Sequence, residues 1–282
     1  MKEKNVIVEN IGDLCTQYMQ IFGANTNLMR HIPTLIDGLK PGERRILYAL
    51  YNDLGSRPNG KMTKSSRITG ETVGKYHPHG DIPVYQTLVK MAQSWNNNLV
   101  LIDGQGNFGS PKGDPAAASR YTEARISYYA YKCFFEDFDL KLVSTKKNYL
   151  GDLEEPEYLP ARYPNVLINN TFGIGYGLST GLPTYNAKEV LELTLKLLED
   201  PEYENVVLIP DSPTGAHIVD EGQFEEISKT GKGKFKMRGE IEVDLDRNEL
   251  IIRSLPLYVN SNDVKDDIIK LYKDGKLRGI TS

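Results

Sequence analysis

Cysteine is almost missing from this 282-residue chain, which has only Cys15 and Cys133. Two thiols so far apart form neither a disulfide framework nor a metal-site spacing, so both are expected to be packing residues and redox chemistry is not indicated. Long apolar runs are missing too. No stretch approaches the roughly 18 residues that cross a bilayer, and the N-terminal MKEKNVIVENIGDL lacks the apolar core of a signal peptide. A cytoplasmic location without a membrane partner is the expectation. No G-x-x-x-x-G-K-[ST] loop occurs, so nothing supports ATP binding by this chain. Internal repeats and low-complexity tracts are absent as well.

What is present is ordinary for a folded protein: 39% hydrophobic and 26% charged residues, neither of them a sign of disorder. The length suits one large or two ordinary domains. A net charge of −4 argues against nucleic acid as a partner, since its binders tend to be basic, but the charge is unevenly spread. Between Lys40 and Lys75 stand eight basic residues (Lys40, Arg44, Arg45, Arg57, Lys61, Lys64, Arg67, Lys75) against Glu43, Asp53 and Glu71. Between Glu136 and Glu157 seven acidic residues outweigh three lysines. The basic segment is therefore expected to hold phosphate while the rest keeps the chain soluble.

Periodicity divides the chain further. Ile11, Leu14, Tyr18 and Phe22 are spaced as on a helix. A turn at Asp37-Gly38 leads to Pro41 at a helix start, with Ile46, Leu47, Leu50 and Leu54 along one face until Gly55. A second helix is expected from Ser65 or Ser66, either of which can cap it, to about Lys75. A third opens at Asp81 and turns Val84, Leu88 and Met91 inward. Helix, turn and helix in a basic context point to a DNA-binding unit. Leu99 to Ile102 reads as a strand, and 122–138 as a helix burying Ile126, Tyr129, Ala130, Cys133 and Phe134. The polar stretch Gly151 to Glu157 is the best domain boundary. Beyond it strands are expected at 166–169, 206–209, 239–245 and 249–255, and helices near 186–199 and 262–274.

Several motifs have competing readings. Gly104-Gln105-Gly106-Asn107-Phe108-Gly109 fits the dinucleotide fingerprint, but Pro111 and Pro115 stand where its helix should open, so an NAD-type oxidoreductase is disfavoured. Asp244-Leu245-Asp246 has magnesium-binding spacing without a partner glutamate, and an exposed strand or turn fits better. His77-Pro78-His79 lacks a third metal ligand; local packing or hydrogen bonding to phosphate remains, and no metal site is assigned. Tyr121 is one of 17 tyrosines and gains interest from its setting, with Arg120 adjacent and small residues upstream. A phenol with pKa near 10 is a useful nucleophile only where a base or positive charge stabilises the phenolate, and arginine can also grip phosphate with two hydrogen bonds.

Four segments carry a resemblance: Asp37-Gly38-Leu39-Lys40-Pro41 with Arg44-Arg45, Gly74-Lys75-Tyr76-His77-Pro78-His79-Gly80-Asp81, Asp103 to Ser110, and Ala116-Ala117-Ala118-Ser119-Arg120-Tyr121-Thr122-Glu123. In this order and spacing, continuing through Pro164-Asn165 and Gly173-Ile174-Gly175 to Thr230-Gly231-Lys232-Gly233-Lys234, the chain resembles the A subunits of bacterial-type type IIA DNA topoisomerases, the gyrase A and topoisomerase IV A family. The resemblance implies an α+β chain: an N-terminal helical arm over 1–30, a winged-helix (helix-turn-helix) domain over 31–150, and an α/β tower domain over 151–282. The family's coiled coil and C-gate are expected to be absent. Tyr121 would attack a DNA phosphate and Arg120 would stabilise the transition state. Lys40, Arg44, Arg45, His77 and His79 match DNA-contacting positions, and Ile174 matches the wedge that kinks the duplex. Magnesium and ATP would both be bound by a B subunit with TOPRIM and ATPase domains, two A and two B chains forming the enzyme on double-stranded DNA in the nucleoid. An inactive winged-helix binder is the rival, which an intact Arg120-Tyr121 disfavours. Ile36 and Glu43 depart from the family's usual arginine and histidine, so weaker backbone contacts are expected there. Ile82 and Gln86 stand where quinolone-sensitive relatives have a serine and an acidic residue. Gyrase, topoisomerase IV and viral relatives are not separable on these residues.

Overall fold

The computed structural model of the chain describes residues 10–219 and 222–279. Residues 1–9, the start of the expected arm, and 280–282, the end of the expected second domain, lie outside the described residues. The architecture is mixed, with helices packed around small antiparallel sheets. No described helix is long and apolar enough to cross a membrane.

The chain enters through α1 (Ile11–Thr26), capped by the Asn10 side chain and continued by a π-helical turn over Asn27–His31. Much of its apolar surface is open: Ile11, Tyr18, Met19 and Phe22 are all more than half exposed. Pro41 opens α2 (Pro41–Tyr48), whose fixed φ suits a first helical position, and a π turn extends it to Asp53 before Gly55 at φ +60° ends the run. Glu43, the departure from histidine, has a local use: its carboxylate accepts from the Lys40 amide at 2.8 Å, which occupies one donor at the helix start.

After β1 (Thr63–Lys64) come α3 (Ser65–Lys75) and α4 (Asp81–Ala92), both within a residue or two of where periodicity puts them. Ile68 on α3 and Val84, Leu88 and Met91 on α4 pack with Ile46, Leu47 and Leu50 of the α2 run in one core. Two sequence expectations fail next. The strand lies three residues later than expected, as β2 (Ile102–Gln105), so it contains the first glycine of the fingerprint and no helix opens before Tyr128. The expected 122–138 helix begins as β3 (Glu123–Ile126), which pairs with both β2 and β1; Ser127 then caps α5 (Tyr128–Ala130), prolonged by a π turn to Phe135. Ala124 and Ile126 are buried while Glu123 and Arg125 are not, the period-2 alternation of a strand with one covered face. Of the two cysteines, Cys133 is core and burial pushes its thiol up to about 11, whereas Cys15 is exposed rather than packed.

The polar stretch around 151–157 is built into the structure. β4 (Thr145–Lys147) pairs with β5 (Glu154–Pro156), and Glu155 on β5 is buried. The predicted strand at 166–169 is instead a helical turn, α6 (Asn165–Ile168), and 206–209 forms no strand. Here Asn165 sends its amide to the Asp37 carbonyl and Asn169 pairs with Leu99 through both backbone groups, so side-chain hydrogen bonds replace a ladder. The hairpin β6 (Gly173–Ile174) and β7 (Ser179–Thr180) follows, then α7 (Ala187–Glu199) as expected, β8 (His217–Val219), α8 (Phe224–Thr230), β9 (Lys236–Arg238), the hairpin β10 (Ile241–Asp244) and β11 (Glu249–Ile252), and α9 (Ser261–Lys273).

Candidate nucleic-acid interface

The turn carrying Arg120 and Tyr121 is held by the start of α3. A helix begins with backbone N–H groups that lack partners within it, and a serine side chain is the expected cap. The cap is different. The Ser65 amide donates to the Thr122 carbonyl at 3.0 Å and the Ser66 amide to the Ser119 carbonyl at 3.1 Å, so carbonyls on either side of Arg120-Tyr121 satisfy the helix. The buried Thr122 hydroxyl donates to Ser65 Oγ at 2.9 Å and lies 2.9 Å from the Tyr85 phenol of α4, which donates to the Ala117 carbonyl at 2.6 Å. The Ala117 amide in turn donates to the Asn107 carbonyl in the glycine-rich loop at 3.0 Å. Three elements thus fix the turn by its backbone and by neutral hydroxyls, none of which engages the side chains of Arg120 and Tyr121. Tyr121 is 64% exposed, and the Arg120 guanidinium carbon lies 4.5 Å from its ring centroid, a cation–π distance.

A second group gathers at the far end of α3, which has 11 residues and so is roughly 16 Å long at 1.5 Å per residue. Lys40 precedes α2. Arg44 points inward: its side chain is 4% exposed and grips the buried Asp37 through Nε at 2.6 Å and Nη2 at 3.0 Å, with a further bond to the Leu39 carbonyl. Asp37 also accepts from the Leu39 and Leu159 amides and the Thr34 hydroxyl. Arg45 binds Glu155 with both Nε, at 2.7 Å, and Nη2, at 2.6 Å, and its Nη1 meets His77 Nδ1 at 2.9 Å. Burial, then Arg45, His79 and Arg30, hold His77 down at about 4. The His79 ring lies tilted by 31° with its centroid 4.3 Å away, its pKa is lowered mainly by burial, and its buried Nδ1 has no hydrogen-bond partner among the described residues.

Counting charges along the chain overstates the free positive charge of the basic segment. Four of its eight cations are tied to carboxylates: Arg44 to Asp37, Arg45 to Glu155, Lys64 to Glu123, and Lys75 to Asp53 and Glu71. Lys40, Lys61 and Arg67 form no ion pair among the described residues. Arg30, unnoticed in the sequence, joins the group through its field on both histidines; a lone cation ending an apolar arm gave no pattern to find. The pairing roles of Asp37 and Glu155 were missed for a different reason, because their partners declare themselves only in the folded chain.

Of the remaining candidates, Ile174 lies far along the chain from both groups, whereas Ile82 and Gln86 follow His79 on α4. Ile174 is 65% exposed on β6, in a hairpin pinned to the arm. There the Asn27 amide donates to the Tyr176 carbonyl and its oxygen accepts from the Tyr176 N–H, while a side chain at Gly175 would lie 2.2 Å from that oxygen. Ile82 and Gln86 share the exposed face of α4. Among the described residues no three metal-ligating side chains gather, and Asp244 Oδ1 accepts from the amides of Asp246 and Arg247 in the β10–β11 turn.

The family model that describes the A subunit of DNA gyrase and topoisomerase IV matches residues 30–282. The DNA gyrase A subunit of Mycolicibacterium smegmatis is 43% identical over 265 residues, covering 90% of this chain and 31% of the relative. The DNA gyrase A subunit of Streptococcus pyogenes serotype M3 is 38% identical over 291 aligned residues, covering 100% of this chain and 35% of the relative. That of Streptococcus pneumoniae serotype 4 is 37% identical with the same coverage. The chain spans about a third of the length of these curated relatives.

Proposed function

Because the chain belongs to the family of DNA gyrase and topoisomerase IV A subunits, we propose that it carries the DNA-cleaving machinery of a type IIA topoisomerase, with Tyr121 as nucleophile. The observation that carries this is the Tyr121 turn itself: an exposed phenol beside a guanidinium, on a backbone held by α3 and α4. The phenol oxygen bonds to a backbone phosphorus, the bond from phosphorus to the 3′ oxygen breaks, and the phenol's proton ends on that 3′ oxygen. The 5′ end stays on Tyr121, conserving a bond for religation. Arg120 leaves the ring face to neutralise charge on the pentacoordinate phosphate. Lys40, Arg45, His77 and His79 contact the DNA backbone, and Ile174 enters a base step to bend the duplex. Arg44, buried on Asp37, serves to position Lys40 rather than to touch DNA.

In this reading residues 31–150 act as a winged-helix domain and 151–282 as a tower domain. The active assembly is a cytoplasmic A2B2 complex on double-stranded DNA. The B subunit binds magnesium and ATP, the ion supplying Lewis-acid stabilisation of the leaving oxygen.

The direct test mixes the chain with a matching B subunit, magnesium and supercoiled DNA, and looks for protein on 5′ ends. Tyr121→Phe is expected to abolish the adduct and leave DNA binding nearly intact, since phosphate contacts dominate affinity. Adducts that persist in that variant would mean another residue attacks.

A further inference from the structure

We propose that Glu155 is a positioning residue for the DNA-contacting histidine: through Arg45 it fixes which ring nitrogen of His77 carries the proton. The proposal rests on the cleavage reading above for its consequence, and on geometry for its mechanism. Glu155 lies on β5 and its side chain is 2% exposed, so its charge is out of water and held by what it binds. Both its oxygens face the fork of Arg45, at 2.7 and 2.6 Å. A guanidinium is planar, always charged and donor-only. Once two of its corners are fixed, the third points in a set direction, and here it meets His77 Nδ1 at 2.9 Å.

A donor facing Nδ1 requires that nitrogen to be the acceptor, so the proton resides on Nε2. Nε2 lies against the first turn of α2: a Cβ added at Gly42 would be 3.7 Å from it. His77 therefore presents a neutral N–H toward the first turn of α2. The charged and titratable groups that act on the ring are Arg45 from α2, Arg30 from the turn after α1 and His79 from its own loop. Beyond Arg45 lies the Glu155 carboxylate, with Lys146 of β4 at 4.0 Å from it. Without Glu155, Arg45 keeps its charge but loses the two bonds that aim it.

Selective 15N labelling of histidine, with His77→Gln for assignment, reads the tautomer directly from the two-bond couplings of each ring. In the wild-type chain His77 is expected as the Nε2–H form, unchanged between pH 5 and 8. In Glu155→Gln, which keeps the shape and offers one acceptor instead of two, mixed tautomers should appear and the titration should rise toward that of an ordinary imidazole. The 5′ adduct formed with a B subunit should fall on the order of tenfold, the low end of what loss of the hydrogen-bond partner behind a metal-ligating histidine costs. Arg45→Lys retains the charge but cannot bridge Glu155 and His77 together, so it should reproduce both changes if Glu155→Gln fails to fold. Unchanged His77 signals in the folded variants overturn the proposal, and so do altered signals with wild-type adduct yield. A wild-type chain that makes no adduct sinks the cleavage reading instead, while the tautomer readout still decides whether Glu155 sets the ring.

Discussion

Arg44 and Arg120 are the same residue type in two regions that use charge in opposite ways. Around 37–45, Arg44 is buried and clamped on Asp37, with a further bond from Nη2 to the Leu39 carbonyl. Around 117–122, Arg120 is exposed on a ring face, and the turn beneath it is held by amides, carbonyls and hydroxyls that make no claim on its charge. A buried charge is costly unless fully paired, so the first region uses charge to hold shape. The second leaves its charge free for a ligand. If that contrast is correct, substitutions in the two regions should separate stability from DNA affinity.

The largest expected effect on stability is at Asp37. Asp37→Ala removes the carboxylate that pairs with Arg44 and accepts the Leu39 and Leu159 amides, leaving a buried cation alone, which typically costs about 3–5 kcal/mol. Lys40→Ala, three residues along, should leave the urea midpoint nearly unmoved and lower the log–log salt slope of DNA binding by about one. A loss below about 1 kcal/mol for Asp37→Ala would show that the ion pair does not hold this region together.

The next effect separates the regions by pH. His77 is held near 4 in the folded chain against about 6.5 when unfolded. Between these values the unfolded chain binds the extra proton. Stability should therefore fall as pH drops from about 6.5 toward 4 and be insensitive to this group above 6.5. The drop could reach about 3 kcal/mol for a fully protected ring, and less for this half-buried one. Urea unfolding at pH 7 and pH 5 measures it, and His77→Gln should shrink the difference. The same difference in both proteins would place the acid sensitivity elsewhere.

How much of this was legible in the sequence follows the same divide. α3 and α4 were readable because Ile68, Val84, Leu88 and Met91 recur at helical spacing and meet a common core. β3 was hidden: Glu123-Ala124-Arg125-Ile126 does alternate, but only four residues long and flush against a tyrosine-rich helix, and its partners β1 and β2 come from distant sequence. Arg120 and Tyr121 stood in a local motif, so they could be picked out directly. Their support could not, since Ser65 and Ser66 act through backbone amides rather than the side chains that a capping rule inspects. The inward turn of Arg44 and the Glu155–Arg45–His77 chain were likewise invisible. The latter joins residues 110 and 32 positions apart, and no composition count over a window reports such pairs.

The smallest expected effect concerns the exposed region's other neighbour, the outer face of α4. Ile82 is 66% exposed and Gln86 is exposed one turn later, on the helix whose Tyr85 holds the Tyr121 turn from its inner side. Quinolone-sensitive members of the family, by the resemblance, have a serine and an acidic residue here that hold the water shell of the drug's magnesium ion. Isoleucine offers no hydrogen bond and glutamine only a neutral acceptor. A charge-assisted bond contributes about 1.5–3 kcal/mol, so its loss should weaken drug action roughly tenfold or more. The reconstituted enzyme is expected to resist quinolones, and Ile82→Ser with Gln86→Asp to regain part of the sensitivity. Because both side chains face solvent, the double substitution should leave the urea midpoint and the drug-free adduct yield close to wild type. Titrating drug-stabilised cleavage complexes decides the point: equal sensitivity in wild type and double mutant would show that this face does not anchor the drug.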